Sequence, residues 1–277
     1  MNKYHIEENS VQETLIIPLY ARLVCSRHYP ELFNDPQAEK ICASLDYDFE
    51  TKGKAMESFA GLFGALEVAQ RQNDLLWEIK DYLVKHPYAS IVNLGCGLDD
   101  SFAKADNGKC QGYDLDLEDV IAIRKQILEP KENEVNIACD LRDESWMDKI
   151  AKENGAIFFA SGVFYYLKKG EVKELIIRMG KHFPGSVLVF DSCNRFGAKM
   201  MTKTWLKKAG ISDVSPYFSL EDPQEIKGWS DDILEVSSRS YMQGYRDIYD
   251  EVGFGFKLML KFCDRFVNMR IVKVEFK

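Results

Sequence analysis

The sequence predicts an α/β fold built on a doubly wound, mostly parallel sheet. Three observations carry this. From Ala89 to about Asn194, short apolar runs alternate with helical stretches. The first of these runs stops at glycine, in Asn93-Leu94-Gly95-Cys96-Gly97. Carboxylates then follow the next two runs, at Asp114 and Asp116 and again at Asp140. Strands that alternate with helices imply a parallel sheet. Right-handed crossovers place the ligand at the strands' carboxyl ends, near the topological switch point.

From Asn9 to about His86 the chain reads as helices. Val11, Leu15, Leu19 and Leu23 recur at helical spacing, and Pro18 is expected to kink or end that helix. Asn34-Asp35-Pro36 is a turn signal, with Asp35 placed to cap a helix that begins at Pro36. A longer helix ends before His86-Pro87, with Leu75, Leu76, Ile79, Leu83 and Val84 as its apolar face. No strand pattern interrupts this region.

In the middle region, strands are expected at Ser90 to Leu94, Lys109 to Leu115, Val135 to Cys139, Ala156 to Ala160 and Ser186 to Phe190. Helices are expected at Glu118 to Leu128 and Gly170 to His182. The last region, from Arg195, begins helical. It ends in two alternating runs, Phe256 to Cys263 and Met269 to Phe276, around a turn at Asp264 to Asn268. That pair reads as an antiparallel C-terminal hairpin.

Composition bounds the function. The chain has 277 residues, 46% hydrophobic and 29% charged, which is ordinary for a globular protein. No apolar run approaches the ~20 residues of a membrane span. The stretch Met1 to Val11 lacks the apolar segment of a secretory signal, so a cytoplasmic location is expected. A net charge of −8 argues against a nucleic-acid partner. Seven cysteines stand singly, without a CxxC pair, and are expected as buried free thiols rather than disulfides or metal ligands.

Gly95 and Gly97 let the chain turn sharply and bring its backbone close to a ligand. A dinucleotide fingerprint would place a third glycine where Asp100 stands. A carboxylate there repels a pyrophosphate at the helix N-terminus. S-adenosylmethionine has no phosphate, and its ammonium and sulfonium groups are cationic. Acidic residues such as Asp99 suit it better. Asp116 follows Gly95 by 21 residues, close to the ~20 expected for a carboxylate that binds ribose hydroxyls. Asp114 shares its strand face and is a second candidate. Asp116 is favoured because a helix starts just after it. At the end of the third strand, Asp140 is placed to accept from an adenine amine, and the Leu141 N–H to reach a ring nitrogen.

These residues resemble the leucine carboxyl methyltransferase family, in its bacterial polyketide O-methyltransferase-like branch. The likeness rests on ordered motifs: Glu13 to Arg22, Asp35-Pro36-Gln37-Ala38, Leu45 to Phe49, Ile91 to Asp99, Asp116 to Ile121, Asp140 to Asp143 with Trp146, and Gly162-Val163-Phe164-Tyr165-Tyr166-Leu167. The resemblance implies a class I methyltransferase core over residues 87–277 and an N-terminal helical lid over residues 1–86. It implies a cofactor set of Arg71, Gly95, Cys96, Gly97, Asp99, Asp114, Asp116, Asp140, Leu141 and Ser161, with Arg71 on the methionine carboxylate. Arg22, in the lid, would line the same site. Ser161 stands where many members carry a glutamate that contacts the cofactor.

Tyr165 and Tyr166 follow the fourth strand, where a methyl acceptor would sit, and are candidates to position it. Asp191, ending the fifth strand, is a weaker candidate. The expected activity is S-adenosylmethionine-dependent O-methylation of a carboxylate or phenolic hydroxyl on a small molecule. The alternatives are a cofactor-binding but catalytically silent protein and, more distantly, a nicotinamide oxidoreductase.

Overall fold

The structure is a computed structural model that describes residues 3–6, 11–201, 218–242, 244 and 248–277. In chain order, β1 (Tyr4–His5) precedes α1 (Val11–His28), α2 (Pro36–Ser44), β2 (Leu45–Asp46) and α3 (Phe49–Lys52). The long α4 (Phe59–Lys85) then leads into β3 (Ser90–Leu94), α5 (Ser101–Ala105), β4 (Gln111–Asp116), α6 (Glu118–Ile127) and β5 (Glu134–Ala138). Next come β6 (Ala156–Ala160), α7 (Lys169–His182), β7 (Val187–Ser192) and α8 (Arg195–Met201). The chain closes with β8 (Ile233–Ser240), α9 (Phe254–Phe262) and β9 (Arg270–Phe276).

The main sheet runs β5-β4-β3-β6-β7-β9-β8. The strands from β5 to β7 are parallel, while β9 pairs antiparallel with both β7 and β8. Winding reverses between β3 and β6, which makes their carboxyl ends the switch point. Both faces of the sheet are covered, as a parallel sheet requires. Along β3, β6 and β7 alternate side chains go to opposite faces. Ile91, Ile157, Phe159, Val187 and Val189 join a core shared with α1, α2 and α4. Val92, Leu94, Phe158, Leu188 and Phe190 join a second core with Trp146 and α7.

The five parallel strands lie where the apolar runs place them, shifted by a residue or two at their ends. Asp35 caps α2 by accepting from the Ala38 N–H at 3.0 Å. All seven cysteines are free thiols, six of them buried. No helix among the described residues is long and apolar enough to cross a membrane.

Three local expectations are corrected. Of the two outcomes expected at Pro18, a kink or an end, the end is excluded, since α1 runs on to His28. The helix forfeits one N–H bond there, and the burial of Ile16, Leu19, Leu23 and Val24 outweighs it. The N-terminal region is interrupted by strand after all, since Tyr4–His5 pairs in parallel with Leu45–Asp46.

The larger correction concerns the C-terminus. Phe256 to Cys263 is not a strand: Phe254–Phe262 is helical, followed by a π-helical turn, Cys263–Val267, that ends at left-handed Asn268. Phe256, Leu260 and Cys263 are buried at i, i+4 and i+7, so the run is helical in period although it also alternates. The antiparallel partner of β9 is Ile233–Ser240, whose serines and single arginine conceal an edge strand. From Arg195, the expected helix is present to Met201; residues 202–217 lie outside the described residues.

Candidate functional site

A cavity of about 510 Å³ opens above the carboxyl ends of β3, β4, β6 and β7. That is within the usual range for small-molecule sites. Its floor is the glycine turn after β3. The Gly95 and Cys96 N–H groups donate to the Leu115 carbonyl at 2.8 and 3.0 Å, folding the turn onto β4. Gly95 and Gly97 have φ of +72° and +50°. A Cβ on Gly95 would lie 2.5 Å from Val163, so only glycine fits.

Carboxylates and cations pin this turn from several sides. Asp116 accepts from the Gly97 N–H and the Leu117 N–H, both at 2.8 Å. Burial raises its pKa above the ordinary carboxylate value. Asp99 accepts from the Gln72 side chain at 2.7 Å and from both the backbone and hydroxyl of Ser101. Arg22, in α1, donates to Asp100 at 3.2 Å and to the Leu98 carbonyl at 3.0 Å. Lys104 bridges Asp100 at 2.7 Å and Asp35 at 2.9 Å. The helical N-terminal region is thereby tied to the turn by buried ion pairs.

Arg71, on α4, lies over the ends of β6 and β7. It donates to Asp191 at 3.0 Å, and Asp191 also accepts from the Gly162 N–H at 2.6 Å. Burial would lower the pKa of Arg71, but the charge of Asp191 opposes this and keeps the guanidinium firmly cationic. The Arg71 Nε is buried and has no hydrogen-bond partner among the described residues. A buried guanidinium with an unused donor is suited to a second anionic partner.

Of the residues singled out in the sequence, Arg71, Gly95, Cys96, Gly97, Asp99, Asp116, Asp140, Leu141 and Ser161 all line this one cavity. Tyr165, Tyr166, Arg22 and Asp191 line it too. Tyr165 is buried, and burial pushes its hydroxyl pKa well above 10; Tyr166 is exposed at the rim. Asp140 is held by Arg142 through its Nε at 2.9 Å, which lowers its pKa. Ser161 follows Ala160, the register partner of Phe190, so Asp191 stands beside it on the neighbouring strand. A carboxylate is thus present one strand away from the serine.

Asp114 is the exception. It is fully buried beneath the turn and does not line the cavity. It binds Arg124 at 2.7 Å, and Arg124 also reaches Glu134 at 3.2 Å, Asn136 at 3.1 Å and the Gly97 carbonyl at 3.2 Å. Asp114 therefore supports the turn from below through Arg124, and the expectation that it contacts a ligand is corrected. Arg124 itself escapes sequence reasoning. Its only signal is an arginine on the apolar face of a helix, among Val120, Ile121 and Ile123. Glu67, which also lines the cavity, likewise has no motif to mark it.

A family model described as leucine carboxyl methyltransferase matches residues 16–180. The chain is 27% identical over 188 residues to the tetracenomycin polyketide synthesis O-methyltransferase TcmP of Streptomyces glaucescens, covering 68% of this chain and 67% of that protein. Among solved structures, a DUF574 family protein from Streptomyces avermitilis superposes with a TM-score of 0.62 at 11% identity, over 93% of this chain and 97% of that one. The plantazolicin methyltransferase BpumL, solved with SAH, superposes with a TM-score of 0.50 at 15% identity, over 96% and 98%. At these identities the structural likeness shows the fold.

Proposed function

This chain belongs to the leucine carboxyl methyltransferase family, and from that premise we propose that it transfers a methyl group from S-adenosylmethionine to an oxygen of a small molecule, a carboxylate or a phenolic hydroxyl. The observation that carries the reading is Arg71. A buried cation with an unused Nε shares one cavity with a glycine turn and Asp116. This fits a ligand with an amino-acid carboxylate at one end and a ribose at the other.

In this reading Arg71 holds the methionine carboxylate and is itself held by Asp191. The backbone of Gly95 to Gly97 makes the close approach, Asp116 takes the ribose hydroxyls, and Asp140 with the Leu141 N–H frames the adenine. Ser161 and Asp191 together supply a hydroxyl and a carboxylate near the ammonium. When bound, the cofactor supplies a methyl group already activated by a sulfonium charge. The chain's own contribution is alignment and exclusion of water. Residues 1–86 act as a lid over a core of residues 87–277, with α1 roofing the cavity through Leu15, Pro18 and Leu19. Tyr165 orients the acceptor from the floor, and Tyr166 does so from the rim. The name of the Streptomyces glaucescens relative, an O-methyltransferase of polyketide synthesis, supports oxygen as the acceptor atom.

The test is calorimetric titration with S-adenosylmethionine and with NAD, followed by incubation with methyl-labelled cofactor and panels of aryl carboxylates and phenols. Binding of S-adenosylmethionine but not NAD, with label transferred to oxygen, is the expected result. Tight binding without transfer to any acceptor would identify a catalytically silent member instead. Binding of NAD alone would sink the reading.

A further inference from the structure

We infer that Glu67 is the proton acceptor for a neutral hydroxyl substrate, a phenol or enol, bound in the part of the cavity beyond Arg71. The inference rests on the methyl-transfer reading above and narrows its acceptor from two classes to one.

The geometry begins with α4. Glu67 precedes Arg71 by one helical turn, on the same face, and both line the cavity. Arg71 sits at the strand ends, bonded to Asp191. The chain passes down α4 and turns back into β3, so earlier residues of α4 lie further above the sheet. Glu67 stands about 6 Å further out, at 1.5 Å of rise per residue. Gly64, Val68, Tyr241 and Met269 line the same cavity.

Arg71 acts on Glu67 from its own helix, Cys263 hydrogen-bonds to it from the turn after α9, and Tyr241 and Cys193 feel its charge from beyond β8 and β7. Burial dominates, and the Glu67 carboxyl is pushed up to about 7. That suits proton transfer near neutral pH. Tyr241 is buried and remains a neutral phenol, because burial and the charge of Asp191 hold its pKa well above 10. It can orient a hydroxyl without competing for the proton.

Charge selects the class of acceptor. Three arginines line the cavity, and in this reading each is committed: Arg22 to Asp99 and Asp100, Arg142 to Asp140, and Arg71 to Asp191 and the methionine carboxylate. No described cation is left over to hold an acceptor carboxylate, and Glu67 would repel one. A neutral hydroxyl meets neither obstacle. In the reaction the acceptor O–H bond breaks and its proton passes to Glu67. The oxygen's electron pair forms the new C–O bond, and the C–S pair leaves with sulfur as a neutral thioether. Glu67 then returns its proton to solvent.

The test compares the full chain with Glu67→Gln and Glu67→Asp. Matched probes are 1-naphthol with 1-naphthoate and a wider panel of mono- to tetracyclic phenols and aryl acids. Glu67→Gln should bind S-adenosylmethionine within about threefold of the unaltered chain. Its kcat on phenols should fall ~10²–10⁴-fold, a typical share for a general base. The unaltered chain should show kcat rising with pH through about 7, where the Glu67 carboxyl titrates, and Glu67→Gln should lose that limb. Glu67→Asp, with the carboxylate drawn back by one methylene, should keep the limb at intermediate rate, and it replaces the amide variant if that fails to fold. A readout independent of turnover is ¹³C NMR of labelled glutamate, where a carboxyl titrating near neutrality should vanish in Glu67→Gln. Equal phenol turnover in both proteins overturns the inference. So does turnover of carboxylates alone, or of no phenol by a chain that binds the cofactor. Failure to bind S-adenosylmethionine at all would instead remove the methyl-transfer reading beneath it.

Discussion

Replacing Arg124 by methionine should destabilise the protein strongly and in a pH-dependent way. Arg124, Asp114 and Glu134 form a buried cluster with side-chain exposures of 2%, 0% and 7%. Burial pushes Asp114 above the ordinary carboxylate value, whereas bonds to Asp114, the Lys131 N–H and Arg124 hold Glu134 below it. Arg124 is the cation that both carboxyls face. Arg124→Met keeps the apolar stem but leaves those carboxyls buried without their cation. Breaking a buried pair in this way costs about 3–5 kcal/mol. At about 2–3 °C per kcal/mol for a chain of this size, the melting temperature should fall by about 10 °C at pH 7.

The deficit should shrink on acidification. A buried carboxylate that loses its cation has a folded-state pKa raised above its unfolded value, so stability returns as pH falls through that raised value. Arg124→Met combined with Asp114→Asn and Glu134→Gln should recover part of the loss, because no lone charge is then buried. Thermal unfolding at pH 5 and pH 7 measures all of this. A shift under about 2 °C at both pH values would show that the cluster carries no net stability, as some buried pairs do not.

Three further outcomes follow from the same geometry. Asp116→Ala should weaken S-adenosylmethionine binding about tenfold to a hundredfold, the worth of charge-assisted hydrogen bonds; unchanged calorimetric affinity would remove Asp116 from the ribose site. The same variant should lose a few degrees of melting temperature, because Asp116 also anchors Gly97 and Leu117. Gly95→Ala should cost about 1–3 kcal/mol through its positive φ, and more from the contact with Val163; Val163→Ala should relieve only the second part, as read by melting temperature. Asp106 is held at about 2 by Lys131, the Gly108 N–H and Asn133. Its depressed pKa adds stability above its unfolded value of about 3.8 that is lost as pH falls towards about 2. Asp106→Asn should therefore flatten that part of the acid-unfolding curve.

The parallel half of the sheet was legible because each strand is a short apolar run bounded by polar or glycine residues. The glycine-turn end of the cavity was legible because glycines and carboxylates recur at the strand ends. What escaped has a physical reason in each case. Ile233–Ser240 lies at a sheet edge and buries only Ile233 and Val236 deeply, so little hydrophobic signal remains. Phe256 to Cys263 satisfies both a period of two and a period of 3.6, and burial of Phe256, Leu260 and Cys263 decides for the helix. Asp114 and Asp116 lie two residues apart on one strand, and pattern alone could not tell which was committed to Arg124. Glu67 was invisible because its significance comes from what distant segments place around it, at Cys193, Tyr241 and Cys263.

Asp100 began as the residue that spoils a glycine motif. Its carboxylate is instead one terminal of an ionic knot with Arg22, Lys104 and Asp35 that spans three segments of the chain. The consequence concerns mutational paths. Placing glycine at position 100 would not yield a dinucleotide binder in one step, because the same change removes the anion that Arg22 and Lys104 share and loosens α1 from the turn. Any route from this cavity to a phosphate-bearing cofactor must first rebuild how its roof is fastened.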